Sequence, residues 1–286
     1  MSKVSVLIPT RNERFLQETI DDIFNNSTGD IEVLVNLDGY WPDPPLREDE
    51  RLVVIHQRRR GMRAGINTMA AVARGQYLMK CDAHCAFAPG FDEVLAAECA
   101  DNWIVVPRRR SLDAEKWEPK AKEPIDAMRY FWPFAHPNDL GLHGKPWFER
   151  GRERRDITLD EELTFQGSLW FMHRSHWERV GPMQEDGYET FMGEPQELGF
   201  KTQLGPWEGK VMRNKRTWYA HLHKGRQWGR MYSMSNSERV RGNAYSFDLW
   251  WNDRWEGRAH DLEWLIDQWL PMPGWPDDWR EYGRAD

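Results

Sequence analysis

The fold is decided by the stretch YLMKCDAHC, residues 77–85. An apolar, strand-like run leads into Asp82 and His84, and Pro89-Gly90 just beyond is typical of a turn. An aspartate and a histidine one residue apart, at the exit of a buried strand, can direct two ligands at one divalent ion. Such an ion would neutralise the paired phosphates of a nucleotide leaving group. Taken alone, such a pair is more often a turn-capping aspartate beside an ordinary surface histidine, so the interpretation depends on the rest of the chain.

Strand-like runs alternate with helical patterns along the first part of the chain. The predicted strands are residues 4–8, 31–37, 52–55, 77–81 and 103–106, and the predicted helices are 15–24, 62–73 and 92–100. This alternation predicts an α/β fold, Rossmann-like, with a mostly parallel sheet and helices on both faces. Such sheets bind ligands at the carboxyl ends of their strands. Because Thr10-Arg11-Asn12, Asp38 and Asp82 lie at such ends, we expect them to converge on one edge.

The second half of the chain is less regular. Between residues 108 and 160 prolines, tryptophans and charges mix without a period, as in an insertion or an acceptor-binding segment. A strand at 165–172, a helix at 194–204 and closing strands near Val211 and at 218–221 follow. From Trp250 onward the chain carries seven of its 17 tryptophans. We expect one domain at 1–225 and a Trp-rich extension at 226–286 packed on it. Its amphipathic helical tail is predicted from Trp251, Trp255, Trp264, Leu265 and Trp269.

The composition is that of a globular protein. The chain has 286 residues, 40% of them hydrophobic and 30% charged. No apolar run approaches the roughly 18 residues of a membrane span, and the run after Met1-Ser2-Lys3 is too short for a signal peptide. Three cysteines make no disulfide framework, which predicts a cytoplasmic protein. Cys81 and Cys85 lack a second cysteine pair, which disfavours a zinc site.

The formal net charge of −7 disfavours a non-specific nucleic-acid binder, which needs a positive field. Arginines nevertheless cluster at residues 58–60, 108–110 and 152–155. One interpretation is solvated loop charge balanced by nearby acids. The other is a rim that faces the phosphates of a nucleotide donor or a polyanionic acceptor. We favour the first interpretation for every cluster except 58–60.

Several ordered motifs resemble the nucleotide-sugar glycosyltransferases of the GT-A fold. The opening stretch VSVLIPTRNE, residues 4–13, is similar to the first strand and nucleotide loop of the broad family 2 enzymes. The resemblance extends over roughly residues 3–225, with 108–160 unmatched, and implies a GT-A domain. The later motifs are closer to the polypeptide N-acetylgalactosaminyltransferases: RRGMRA (59–64), DAHC (82–85), GSLW (167–170), FMGEPQEL (191–198) and AHLHK (220–224).

Some features depart from that family. Ser168, Met192 and Pro195 replace small or amide residues that line its sugar pocket, so the resemblance does not identify the donor sugar. The membrane anchor and the lectin domain typical of the animal enzymes have no counterpart in this sequence. We therefore expect a compact cytoplasmic relative, and peptide specificity is not carried over.

The resemblance implies a metal site. Asp82 and His84, with His221 from a distant strand, would bind a divalent cation that bridges the diphosphate and offsets charge as the sugar–phosphate bond breaks. One carboxylate and two imidazoles suit Mn²⁺ better than Mg²⁺, which prefers oxygen ligands. His223 is the alternative third ligand, because strand alternation places it on the same face. The late motif favours His221.

Other residues are expected to bind the nucleotide. Thr10, Arg11 and Asn12 would contact it in the loop after the first strand, and Asp38 would accept from the nucleobase or the ribose. Arg63, in the first turn of a helix, would meet the diphosphate or the base. The alternative for Arg63 is a surface salt bridge.

Glu194 and Glu197 are the candidate acids near the sugar. In an inverting enzyme such a carboxylate would act as base on the acceptor hydroxyl, and in a retaining one it would hold sugar or acceptor hydroxyls. Glu194 also begins a predicted helix, where a carboxylate is favoured in any case. Trp170 either stacks on the sugar or nucleotide or packs in the core.

The sequence therefore predicts a metal-dependent glycosyltransferase that uses a nucleoside-diphosphate sugar, most simply a UDP-sugar. The acceptor is open: a glycan, a protein, a small molecule or a hydroxylated nucleobase in DNA. One alternative is a sugar-1-phosphate nucleotidyltransferase, but the loop at 10–13 lacks the Gly-rich basic signature of that class. The other alternative is a non-catalytic carbohydrate-binding protein, which the tryptophans suggest but which would need no ordered metal ligands.

Overall fold

The computed structural model describes residues 3–135, 140–229, 232 and 234–282. Its strands are β1 (Val4–Thr10), β2 (Ile31–Asp38), β3 (Leu52–Gln57), β4 (Tyr77–Cys81), β5 (Cys85–Phe87), β6 (Trp103–Asp113), β7 (Glu118–Pro119), β8 (Met128–Tyr130), β9 (Gly144–Pro146), β10 (Leu159–Glu161), β11 (Leu169–His173) and β12 (Lys210–His221). Its α-helices are α1 (Leu16–Asn26), α2 (Met62–Val72), α3 (Phe91–Ala97), α4 (Phe148–Glu153), α5 (Arg174–Val180), α6 (Glu194–Leu204), α7 (Gly225–Trp228), α8 (Asn236–Trp251) and α9 (Leu262–Asp267). Short 3-10 turns lie at Pro133–Ala135 and Trp279–Glu281.

One sheet organises the described chain, in the order β10-β12-β6-β11-β4-β1-β2-β3. Strands β3, β2, β1 and β4 are mutually parallel, and β12 is parallel to β6. Strand β11 runs antiparallel between β4 and β6. Strands β5 and β10 add antiparallel to β12, and β7 pairs with β6. The predicted α/β fold with a mostly parallel central sheet is confirmed.

The three central parallel strands are mostly apolar because both of their faces are covered. All residues of β1, β2 and β4 are buried, so these strands read as hydrophobic runs with only a few polar positions. Helix α2 begins after Gly61, whose φ of +98° belongs to the region that favours glycine. A Cβ at this position would lie 3.0 Å from the carbonyl oxygen of Thr190. Gly61 therefore allows the loop before α2 to approach the segment before α6.

Several bounds differ from the sequence-based predictions. The strand expected at 165–172 begins only at Leu169, and the two closing strands are one long strand, β12, with an irregularity between Asn214 and Trp218. Strand β6 continues to Asp113, so the predicted insertion starts inside the sheet. The long strands β6 and β12 stabilise each other by parallel pairing. A local sequence pattern does not predict such long-range pairing. Residues 136–139 of the predicted insertion lie outside the described residues.

The C-terminal tryptophans build a second hydrophobic core. They pack against residues from the predicted insertion and from α6, including Tyr130, Trp147 and Phe200. The predicted helical tail consists of two helices, α8 and α9; Trp255 lies between them, and Trp264 is 43% exposed. The domain boundary at residue 225 stays a prediction. The members of this core from the tail are Phe247, Trp250, Trp251, Leu262, Leu265, Ile266, Trp269, Met272, Trp275 and Trp279.

Within the described ranges, no helix combines the length and the apolar composition that crossing a bilayer requires.

The second core predicts unequal costs for two tryptophan truncations. Trp251 is completely buried, and its ring lies 5.3 Å from Phe134 and from Phe247 between ring centroids. We expect Trp251→Ala to lower the free energy of unfolding by about 3–5 kcal/mol, because it leaves a cavity. Trp264→Ala removes a half-exposed ring and should cost about 1 kcal/mol or less. Urea unfolding of both variants is the measurement. Equal losses of unfolding free energy would contradict the claim that the second core stabilises the fold.

Candidate metal and nucleotide site

Three of the predicted ligands meet at the carboxyl end of β4. Asp82 follows β4 directly, His84 precedes β5, and His221 is the last residue of β12. Strand β5 pairs with β12 in a register that sets Cys85 opposite His221, so the end of β12 lies beside the turn that carries the other two ligands. One ligand atom from each of Asp82, His84 and His221 lies within 4.8 Å of the others. His223 is exposed and does not belong to this group.

The electrostatic state of the group suits a metal ion. Burial lowers the pKa of His221 to about 3, so its imidazole is neutral and offers a lone pair. Burial alone would raise the pKa of Asp82, but Lys80 and the hydrogen bond with His221 outweigh it and hold this pKa well below its ordinary value. His221 Nε2 lies 3.1 Å from Asp82 Oδ2, and His84 Nε2 lies 3.8 Å from the same oxygen. A carboxylate oxygen flanked by two imidazoles is a donor set that can bind a divalent metal ion.

Glu13 supports His84 from behind. Its Oε2 lies 3.3 Å from His84 Nδ1 and also pairs with Lys224. Burial alone would raise the pKa of Glu13, but His84 and Lys224 outweigh it and lower this pKa. A carboxylate on the far nitrogen of a ligating histidine orients the ring and raises its basicity. The sequence-based prediction missed Glu13, although it ends the stretch at 4–13 that carries the resemblance.

Lys80 and Glu194 form the other wall of the group. Lys80 Nζ donates to Asp82 Oδ1 at 2.8 Å and to Glu194 Oε2 at 3.3 Å. Trp170 Nε1 donates to Glu194 Oε1 at 2.7 Å. Burial, followed by the charge of Asp82, raises the pKa of Glu194 against the opposing effect of Lys80. Both oxygens of Glu194 thus accept hydrogen bonds from protein donors. This arrangement fits a fixed carboxylate better than a general base that is open to an acceptor hydroxyl.

Trp170 packs in the core, the second of the two environments that were expected for it. It is completely buried, and its ring stacks on that of Trp177 with 5.5 Å between centroids. The ring therefore packs in the core and does not face a sugar or a nucleotide. Its indole N–H reaches the site through Glu194 alone.

Asp38 is completely buried at the end of β2, and the protein already uses its carboxylate. Oδ1 accepts from the backbone N–H of Arg60 at 2.7 Å and from Gln57 Nε2 at 3.3 Å. Oδ2 accepts from the backbone N–H of Gly61 at 3.1 Å and pairs with Arg11. These contacts tie the loop before α2 to the ends of β1 and β2. Asp38 thus positions this loop, which differs from the expected contact with a base or ribose.

The other predicted nucleotide residues lie at the end of β1. Thr10 Oγ1 is 3.0 Å from the hydroxyl of Tyr40, and the guanidinium of Arg11 lies 4.7 Å from the ring centroid of Tyr232. Asn12 is exposed and has a φ of +48°, a conformation that asparagine tolerates better than most residues. The structure thus brings Thr10, Arg11 and Asn12 to the same edge of the sheet as Asp82, as the strand order predicts.

An open cleft of about 900 Å³ borders this loop. Asn12 and Glu13 line it together with Tyr40, Trp41 and the segment 42–47. Its volume falls in the range of small-molecule sites. Trp41 is 75% exposed, with one face stacked on His56 at 3.5 Å between centroids.

Arg63 and Glu197 form a buried ion pair with each other. Arg63 also donates to the carbonyl oxygens of Gln184 and Met192 at 2.5 and 2.7 Å. Glu197 pairs with Lys201 at 2.7 Å. Arg63 is buried and so does not form the surface salt bridge that was its alternative; its guanidinium is engaged by Glu197 and two carbonyl oxygens. Glu197 does not join Glu194 beside the metal group. Their surroundings make both residues part of the packing between α2 and α6.

The arginines at 108–110 have three different environments. Arg108 forms a bidentate pair with Asp126, with both N–O distances at 2.8 Å. Arg110 lies over the ring of Trp218. Arg109 Nη2 is 3.5 Å from His221 Nδ1, which places a cation beside the metal group. The favoured interpretation of this cluster, loop charge exposed to solvent, therefore does not apply to Arg109.

Comparison with known proteins identifies a family for this chain. Residues 5–181, more than half of the chain, match the family model described as Glycosyl transferase family 2. Polypeptide N-acetylgalactosaminyltransferase 3 of Mus musculus is 28% identical over 151 residues, which cover 52% of this chain and 24% of that protein. Polypeptide N-acetylgalactosaminyltransferase 6 of Bos taurus is 26% identical over 215 residues, 69% of this chain and 34% of that protein. The chain thus spans only about a quarter to a third of these relatives.

A similar solved structure supports the fold. It is described as the crystal structure of GalNAc-T7 with UDP, GalNAc and Mn²⁺, and it matches 88% of this chain and 49% of that chain with a TM-score of 0.67. The sequence identity is 17%, so the likeness concerns the fold alone. It confirms the predicted GT-A architecture.

The geometry of the group predicts which late histidine binds the ion. His221→Ala should weaken Mn²⁺ binding by at least about tenfold, which is the lower end of the cost of losing even an outer partner of a ligand. His223→Ala is the matched control and should leave the affinity unchanged, because that side chain is exposed and outside the group. Titration calorimetry with Mn²⁺ measures both. The reverse order would move the third ligand to His223, and two null effects would remove both histidines from the site.

Proposed function

The chain belongs to glycosyl transferase family 2, and from this we propose that it transfers a sugar from a nucleoside-diphosphate sugar to an acceptor hydroxyl with the help of a divalent cation. The observation that carries the proposal is the convergence of Asp82, His84 and His221 at the carboxyl edge of the sheet. Open α/β sheets bind their ligands at this edge. The ligand set favours Mn²⁺ over Mg²⁺ as the ion.

The side chains of the chain have separate tasks in this proposal. Asp82, His84 and His221 hold the ion, and Glu13 orients the ring of His84. When bound, the ion supplies a positive charge that stabilises the diphosphate as the sugar–phosphate bond breaks. Glu194 is a fixed anion of the pocket wall, held by Lys80 and Trp170.

The charges around the group favour a polyanionic leaving group. Asp82 and Glu194 share Lys80, so two negative charges and one positive charge leave a net charge of −1. Arg109 beside His221 offsets it. A divalent ion then makes the site positive overall, which complements a diphosphate. The neighbouring acids add nothing to this balance because they have cations of their own, Glu13 with Lys224 and Asp38 with Arg11.

A uridine-based donor is the simplest choice. The similar solved structure, GalNAc-T7, contains UDP and Mn²⁺, and the chain shares its fold. In our proposal the nucleotide lies along the end of β1, with Thr10, Arg11 and Asn12 beside it and the cleft next to Tyr40 open to its base. Asp38 contributes indirectly in this proposal, because it positions the loop before α2.

The donor sugar and the acceptor are not part of the proposal. Of the residues that depart from the family pattern, Ser168 is engaged by the hydroxyl of Tyr219 at 2.8 Å, and the carbonyl of Met192 accepts from Arg63. Pro195 lies in the first turn of α6. A glycan, a protein, a small molecule and a hydroxylated nucleobase in DNA all remain candidate acceptors.

The proposal predicts metal-dependent binding and turnover of a UDP-sugar. Calorimetry against the four nucleoside diphosphates in Mn²⁺ should show a preference for UDP, and hydrolysis of UDP-sugars by the purified protein should require the ion. Asp82→Asn should lower the hydrolysis rate by more than about 100-fold, above the usual cost of disturbing a ligand indirectly. Asp160→Asn, a buried acid paired with Arg154 and Lys215 instead, is the control and should retain the rate. Preference for a purine diphosphate, or binding indifferent to Mn²⁺ and to Asp82→Asn, would contradict the proposal.

A further inference from the structure

Lys80 is a lysine buried in the middle of the sheet. It occupies the fourth position of β4, and its side chain is only 1% exposed. Three acceptors surround its ammonium: Asp82 Oδ1 at 2.8 Å, Glu194 Oε2 at 3.3 Å and the carbonyl oxygen of Gly167. A lysine ammonium has three N–H donors. Its donors are therefore all used, and its position is defined from three sides.

The chain is built to allow this contact. A Cβ on Gly167 would lie 2.8 Å from Glu194 Oε2, so glycine is what lets its carbonyl and Glu194 approach the same ammonium. The backbone N–H of Asp82 donates to the carbonyl of Ser168 at 2.9 Å, which holds the metal ligand beside the same turn. Lys80 is thus embedded in a rigid arrangement of β4, the 167–168 turn and the start of α6.

The consequence concerns the two oxygens of Asp82. Oδ1 is occupied by Lys80, whereas Oδ2 faces His221 Nε2 at 3.1 Å and His84 Nε2 at 3.8 Å. Oδ2 is the oxygen that faces the histidines, and an ion that also bound Oδ1 would lie against the ammonium of Lys80 and be repelled by it. A carboxylate restricted in this way binds through one oxygen, although aspartate often binds large cations through both.

We propose that Lys80 determines the metal selectivity of the site by holding Asp82 as a one-oxygen ligand. Ca²⁺ takes six to eight oxygen ligands at longer distances and gains from bidentate carboxylates, whereas the smaller Mn²⁺ would need only one oxygen of Asp82 beside the two imidazoles, with water or the diphosphate as its remaining ligands. Lys80 therefore disfavours Ca²⁺ without touching the ion. This inference rests on the proposed metal dependence, and Lys80 acts as a positioning residue.

The test compares the affinities for Mn²⁺ and Ca²⁺ in the same variant. Because both ions carry two charges, loss of the lysine charge affects them alike, and the affinity ratio reports ligand geometry. We expect Lys80→Met to reduce the preference for Mn²⁺ over Ca²⁺ by at least about tenfold in titration calorimetry, the usual scale of outer-partner effects. Glu194→Gln leaves Asp82 with its lysine and should keep the wild-type ratio.

A second lysine controls for the loss of a buried ion pair as such. Lys215 is also buried and pairs with Asp160 at 3.3 Å; it lies on β12, six residues before His221. Lys215→Met should preserve the ratio. An unchanged ratio in folded Lys80→Met would overturn the inference, and so would an equal change in Lys215→Met.

Folding and metal binding are checked separately. Near-ultraviolet circular dichroism shows whether Lys80→Met folds. If it does not, the double variant Lys80→Met/Glu194→Gln is used, because it removes the buried carboxylate of Glu194 that has lost its lysine. This double variant must show the same fall in the ratio of Mn²⁺ to Ca²⁺ affinity. Wild-type protein that binds neither ion would overturn both the proposed metal dependence and this inference. Wild-type protein that binds Mn²⁺, with selectivity unaffected in the double variant, would overturn the inference alone.

Discussion

The cost of burying charge governs the arrangement at the carboxyl edge of the sheet. A carboxylate taken out of water is destabilising unless a cation or N–H donors replace its hydration. Each of the following acids has a cationic partner, which comes from a distant part of the chain in every case except Asp82. The pairs are Asp82 and Glu194 with Lys80, Glu13 with Lys224, Asp38 with Arg11, and Glu197 with Arg63. Because these pairs bridge β1, β2, β4, α2 and α6, they also fix the relative positions of those elements.

Helix α6 joins this charged region to the aromatic core of the C-terminal segment. Its first residue, Glu194, contacts Lys80, whereas Phe200 and Leu204 pack among the tryptophans of the second core. Leu198, between them, belongs to the core of the sheet. The aromatic core of the tail thus supports the site indirectly, since it holds the helix that carries Glu194. A Trp-rich segment need not be a carbohydrate-binding surface when its rings are buried in this way.

Much of the fold could be predicted because its determinants are local. Buried parallel strands read as short apolar runs and amphipathic helices repeat every three to four residues, so β1, β2, β4, α2 and α6 were predicted close to their observed bounds. The pair Asp82 and His84 was found because two residues of separation keep both side chains in one turn. The predictions were weakest where pairing is long-range, as in the extended β6 and in β12, and in the tail, whose helical periodicity is interrupted.

The sequence by itself determined the α/β class, the edge of the sheet that carries the polar residues, and Asp82 and His84 as candidate ligands; for the third ligand its late motif favoured His221 over His223. Only the tertiary structure decided which charges meet. The register of β5 on β12 brings His221, and not His223, to Asp82, across 139 residues of chain. The approach of α2 and α6 likewise brings Arg63 to Glu197, and the position of α6 beside β4 brings Glu194 to Lys80. The physical reason is that local patterns encode burial and element type, whereas the partner of a buried charge depends on which distant strands and helices become neighbours.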